Sequence, residues 1–220
     1  MLLVSAICVS ADSVHAGILL RYAGSTLPAG GSGFIDVFVS SDAVVGSPDV
    51  LDSFSAHFMI TPLGGAPGSG LQFVDPQSDS QLGMGNYVFF GDSLTPPPLG
   101  LVSTVTNLND TYIGGDATFS GAGVSLDSAT AEKLLFRLDL SAALATSGSQ
   151  YTLRLVNDGG TSFLDPAFGA LILDSSAFAP ITLTAVPEPA TWCLAAVVTC
   201  GIAFRLHRRR MAELRAAAVD

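Results

Sequence analysis

The chain has 220 residues and a formal net charge of −10, from nine Lys and Arg against 19 Asp and Glu. Between Gly17 and Val186 only Arg21, Lys133, Arg137 and Arg154 are basic, which excludes a nucleic-acid-binding body, because phosphate contact needs clustered Lys and Arg. The three cysteines are Cys8, Cys193 and Cys200; a body without cysteine has no disulfide framework, thiolate nucleophile or cysteine metal site.

Residues 1–16 combine a short apolar run, Leu2 to Val9, with Val14-His15-Ala16, the small-residue pattern that signal peptidase requires. Cleavage between Ala16 and Gly17 is the expectation. The basic stretch that usually precedes such a run is missing, so the true start is expected upstream. The competing reading makes this run a first β-strand.

The body, 17–185, reads as many short strands divided by Gly, Pro and Asp turns. Residues 17–22 suit a first edge strand, and 27–33 a turn. Phe34 to Ser41 reads as an inner strand, with Ile35, Val37 and Val39 on one face. Leu51 to Thr61 is a long strand with Phe54, Ala56, Phe58 and Ile60 on one face and Ser53, Ser55, His57 and Met59 on the other. Residues 62–70 form a loop, and 71–74 a short strand. A strand is also expected at 86–90, then a stiff polyproline connector at Pro96-Pro97-Pro98. Residues 101–106 alternate weakly. A polar loop is expected at 107–116, a short strand at 117–120, and one helical turn within 124–133. Leu134 to Leu140 alternates, with Leu134, Phe136, Leu138 and Leu140 inward and Leu135, Arg137 and Asp139 outward. Tyr151, Leu153 and Leu155 face inward from 150–156, and 163–164, 170–173 and 181–185 supply the last strands. The pattern predicts an all-β fold, an antiparallel β-sandwich of jelly-roll-like layout.

The C-terminal stretch has three parts. Val186-Pro187-Glu188-Pro189 ends the sandwich, because proline fixes φ and cannot donate in a sheet. Ala190 to Phe204 carries no charge and can bury its whole circumference, which suits lipid. At ~1.5 Å per residue it spans roughly 22 Å, short for a bilayer, and snorkelling arginines and local thinning make up the difference. A C-terminal core helix is the alternative, but it would show one polar face. Arg205, Arg208, Arg209 and Arg210 then stop transfer and hold residues 211–220 in the cytoplasm. A single transmembrane helix is thus expected to follow the sandwich.

This order of parts, from Val186 to about Arg210, resembles the PEP-CTERM sorting signal. The resemblance implies recognition by exosortase, a membrane-embedded cysteine protease, with processing near 186–189. It also implies transient residence in the inner membrane with the body in the periplasm. Display at the cell surface or in an extracellular matrix, often with exopolysaccharide or biofilm, then follows. The extension Met211 to Asp220 departs from tails that end soon after the arginines. The body is also similar to cohesin-like sandwiches of exported bacterial proteins, through Gly33-Phe34-Ile35-Asp36-Val37-Phe38-Val39, Phe54-Ser55-Ala56-His57-Phe58, Phe73-Val74-Asp75-Pro76 and Lys133-Leu134-Leu135-Phe136-Arg137-Leu138-Asp139. This resemblance implies a fold and no ligand.

No catalytic residue is assigned. His57 is the one histidine of the body, and no Gly-x-Ser-x-Gly elbow accompanies it. No acidic pair stands out for glycoside hydrolysis. No cofactor is expected. The best calcium candidates are Asn107, Asn109, Asp110 and Asp116, with Asp75 and Asp79 near a second loop, although no Asp-x-Asp-x-Asp-Gly pattern supports them. Tyr87, Tyr112 and Tyr151 could stack on sugar, with core filling expected of Tyr87 and Tyr151. A structural or adhesive matrix component is the reading, and a glycan-binding module the alternative.

Overall fold

The computed structural model describes residues 17–65, 70–95, 100–106 and 108–187. Thirteen strands run in chain order: β1 Ile18–Ala23, β2 Thr26–Pro28, β3 Ser32–Ser41, β4 Asp49–Leu51, β5 Ser53–Pro62, β6 Gln72–Phe73, β7 Val102–Val105, β8 Thr111–Ala117, β9 Val124–Leu126, β10 Lys133–Ser141, β11 Gln150–Leu155, β12 Ser162–Leu164 and β13 Ile181–Val186. They build a four-stranded sheet, β1-β3-β10-β6, against a seven-stranded sheet, β2-β13-β11-β5-β8-β7 with β12 also on β5. β4 and β9 form a separate ribbon. Every pairing between named strands is antiparallel except β2 on β13.

Alternation explains the two longest strands. Ile35, Val37 and Val39 of β3 and Phe54, Ala56, Phe58 and Ile60 of β5 are all buried, as period-two sequences facing one core require. Phe136 of β10 lies at the centre. It meets Phe54 at 5.1 Å, Phe58 at 5.4 Å and Tyr112 at 5.9 Å, each edge-on. Such pairs contribute about 0.5–1.5 kcal/mol each beyond area burial.

The structure departs from strict alternation at Leu135, expected outside and 0% exposed. The β10–β3 register slips between Leu134 and Phe136, opposite Phe38 and Val37. This bulge turns an extra apolar residue inward. The strand expected at 86–90 is a run of turns with one bridge, Tyr87 to Leu134, and Tyr87, Val88 and Phe89 are all buried. Three consecutive buried residues fit a coiled plug better than a pleat. The loop expected at 107–116 contains most of β8, whose inward positions, Tyr112, Gly114 and Asp116, give no apolar alternation. The strand expected at 117–120 is the end of β8 at Ala117, followed by a bridge from Thr118 to Ser93. The turn expected at 27–33 includes β2, and residues 170–173 make only isolated bridges. In place of a helical turn within 124–133, β9 leads into a tight turn. There Asp127 Oδ1 accepts from Ala129 N and Thr130 N at 3.0 and 2.8 Å.

Candidate functional site

The expected sites lie at the margins of the fold. Val186 is the last residue of β13, and its carbonyl accepts from Ala29 N at 2.7 Å. Pro187 follows outside the strand. Ala16, Glu188, Pro189, the apolar stretch, and Arg205, Arg208, Arg209 and Arg210 lie outside the described residues. Among the described residues no helix is long and apolar enough to cross a membrane.

The calcium candidates do not converge. Asn107 lies outside the described residues. Asn109, at φ 54°, accepts through its carbonyl from Phe73 N at 2.7 Å. Asp110 Oδ1 accepts from the Thr106 and Thr111 hydroxyls, both at 3.1 Å. Asp116 sits at the opposite end of β8, roughly 20 Å away at ~3.3 Å per residue. Among the described residues no three His, Cys, Asp or Glu side chains are placed to hold a metal ion. Asp79 instead receives Leu101 N at 2.8 Å, and burial raises its carboxyl above the usual range.

His57 points from β5 into the turn that follows β11, where its Nδ1 lies 2.6 Å from Asp158 Oδ2. Asp158 is held below the usual carboxylate range by Gly160 N–H first and then by His57. The nearby Ser55 Oγ donates to the Gly160 carbonyl at 2.8 Å. The hydroxyl is therefore committed to that turn rather than to the imidazole, and the pair acts as a clip on the 157–160 turn.

Three tyrosines considered as a sugar platform, Tyr87, Tyr112 and Tyr151, are buried. Burial pushes the Tyr87 and Tyr112 phenols upward from the ordinary value. Phe34 and Phe38, by contrast, face out from β3. The Arg137 guanidinium lies 3.9 Å from the Phe34 ring centre and Arg21 4.5 Å from that of Phe38. Asp36 grips Arg137 at 2.7 and 2.8 Å, and Glu132 grips Arg21 at 2.6–2.9 Å. The guanidiniums thus cap the outward rings and are themselves neutralised.

A concave surface lies on the other sheet. A groove of about 360 Å³ runs across the outside of β8 and β7. Register places Ser55, Gly115 and Val102 in one row, and His57, Ile113 and Thr104 in the next. Gly115 leaves the floor bare, because a Cβ there would sit 2.5 Å from the Phe54 carbonyl oxygen. Val102, 76% exposed, Leu94 and Ile113 supply apolar walls. One end is fixed from beneath by Asp116, 7% exposed. It accepts from the Tyr87 hydroxyl at 2.8 Å, Ser93 at 2.6 Å, Thr95 at 3.1 Å and Ala117 N at 2.8 Å. The sequence concealed this site, since Gly114-Gly115 reads as loop.

Two packed antiparallel sheets with a parallel β2–β13 closure define a cohesin-like sandwich. No protein-family model and no curated protein matches the chain. Among solved structures it is similar to the sixth cohesin from Acetivibrio cellulolyticus scaffoldin B, in complex with a mutant Cel5 dockerin. The TM-score is 0.51 at 9% identity, over 78% of this chain and 99% of that one. It is also similar to a chain of the CaDoc0917–CaCohA2 complex, with a TM-score of 0.50 at 12% identity, over 77% and 99%. At such identities the likeness is one of fold.

Proposed function

We propose that the chain is an exported, surface-held adhesive module that binds a protein partner across the outside of β7, β8 and β5. The observation that carries this reading is the bare-floored groove with Leu94, Val102 and Ile113 exposed around it. Apolar side chains left in water on a rigid sheet are what an interface core uses. That a similar cohesin is held in a complex with a dockerin supports a protein as the partner. The role proposed is binding, with no catalytic residue assigned.

The ends of the chain serve delivery. Residues 1–16 direct export, and 186–210 act as the exosortase substrate, with Pro187-Glu188-Pro189 held at the membrane face by the apolar stretch and the arginines behind it. The protein then joins the cell surface or matrix. Two variants test the two halves. Val102→Asp with Ile113→Asp keeps the fold by circular dichroism and abolishes retention of the purified protein on the producing cells' matrix; unchanged retention refutes the docking face. Glu188→Ala accumulates at higher mass in the inner membrane; the same mass and compartment as wild type refutes the sorting role.

A further inference from the structure

The first described residue is already held by a carboxylate. Gly17 N donates to Asp42 Oδ1 at 2.6 Å, and Gly17 O accepts from Asp42 N at 3.3 Å. Gly17 is buried and Ile18 is 0% exposed. β1 is gripped on both sides here: Ile18 pairs with Ser41 of β3, and Ile18 N donates to the Ile172 carbonyl at 2.7 Å. Asp174 packs beside Gly17, its Cβ 3.5 Å from where a Gly17 Cβ would stand, while its carboxylate accepts from Ser176 N. The ion pairs among the described residues join Arg21 to Glu132, His57 to Asp158 and Arg137 to Asp36, and none reaches Asp42. The start of β1 thus holds one buried backbone nitrogen on the carboxylate of Asp42, an exposed residue without an ion-pair partner among the described residues.

We infer that Gly17 is the mature N-terminus and that its α-ammonium is captured by Asp42 as the sandwich folds. This rests on the export reading above. Hydrolysis breaks the Ala16–Gly17 C–N bond; the Ala16 carbonyl carbon takes the hydroxyl of water and leaves as a carboxylate. The Gly17 nitrogen, protonated, becomes an ammonium. A peptidase cannot reach a buried Gly17, so cleavage precedes folding, during translocation. The same N···O contact then changes from an amide donor on a carboxylate to an ammonium–carboxylate ion pair, charged on both sides. Maturation is thereby coupled to stability: the fold tightens only in chains whose leader has been removed.

The sign with pH follows. A free α-amino group titrates at about 8. Beside Asp42 its folded value rises, so with Asp42 ionised the contribution is complete below about pH 8 and is lost as pH rises through the folded value. The experiment uses the full chain in detergent, with residues 1–16 replaced by a specific-protease sequence ending directly before Gly17. Cutting raises Tm by about 2–4 °C near pH 7. The gain disappears at high pH, on acetylating the new amine, and in Asp42→Asn. No gain, or a gain that survives acetylation, overturns the capture. Acetylation decides even if Asp42→Asn fails to fold. N-terminal sequencing of the protein recovered from producing cells tests the other half. A start at Gly17 supports the cleavage position and a start elsewhere overturns it. Retention in the cytoplasm with the leader intact refutes export, while the thermal comparison still decides the role of Asp42.

Discussion

Removing the Asp116 side chain is the sharpest test of how the groove is held. Its carboxylate is almost fully buried and accepts from three hydroxyls and its neighbour's backbone N–H. Asp116→Ala leaves the Tyr87 hydroxyl, on a side chain 1% exposed, without its acceptor; Ser93 and Thr95, partly buried, can recover water. An orphaned buried group costs about 1–3 kcal/mol, and a lost charge-assisted bond about 1.5–3 kcal/mol. With partial recovery the expected loss is about 3–5 kcal/mol, read by urea denaturation at constant m-value. Tyr87→Phe removes one donor and leaves three, so about 1 kcal/mol is expected. The double variant should cost less than the sum of the two, since the phenol orphaned by the first change is removed by the second. A loss below about 1 kcal/mol for Asp116→Ala, or strict additivity, would show that water already serves these groups and that the carboxylate does not organise the groove.

Three further outcomes follow from packing and burial. Gly115→Ala drives a Cβ to within 2.5 Å of the Phe54 carbonyl oxygen and should destabilise by about 1–3 kcal/mol, measured by chemical denaturation; a neutral result would mean that β5 and β8 can separate freely. Leu135→Ala should cost about 2–5 kcal/mol as a core truncation, whereas an outward leucine would cost under about 0.5 kcal/mol. Alkaline titration followed by ultraviolet absorbance should show late tyrosine ionisation, because burial pushes Tyr22 up to about 12 and Tyr87 and Tyr112 beyond it. The folded state holds these protons longer than the unfolded chain, so stability falls as pH rises above about 10; ionisation complete near pH 10 with the fold intact would refute their burial.

The parts legible in the sequence share one property: the side chain itself carried the signal. Phe54, Ala56, Phe58 and Ile60 announced an inward face, and β5 is there. Leu134 to Leu140 announced β10, but not its bulge, because slippage against β3 is a property of the pair and not of either strand. β8 was hidden because two of its seven residues are glycine and a third is a buried aspartate, whose inward place depends on Tyr87, Ser93 and Thr95 arriving from another segment. Phe34 and Phe38 occupy the face of β3 opposite Ile35, Val37 and Val39. Their outward position is sustained by arginines from β1 and β10 that only the sheet brings alongside.

The acidity of the body acquires a different meaning from the one composition suggests. Fifteen Asp and Glu between Gly17 and Pro187 look like cation ligands or a solubilising coat. Nine of them instead accept a backbone N–H, some within a turn and some from a distant segment. Asp42 receives Gly17, Asp79 receives Leu101, Asp92 receives Ser120, Asp158 receives Gly160, Asp165 receives Ala167 and Gly169, and Asp174 receives Ser176. A chain of many short strands has many turns, and aspartate closes turns through such bonds. The charge is therefore a by-product of the topology, and it sets limits on the surface. Three of the four bases between Gly17 and Pro187, Arg21, Lys133 and Arg137, belong to β1 and β10, and two of them are locked on Phe38 and Phe34 by carboxylates. The groove at β7 and β8 has no charged side chain in its lining except the buried Asp116. A partner can meet that surface without confronting the net negative body, and this is why the uncharged groove, rather than any acidic loop, is the place to look for binding.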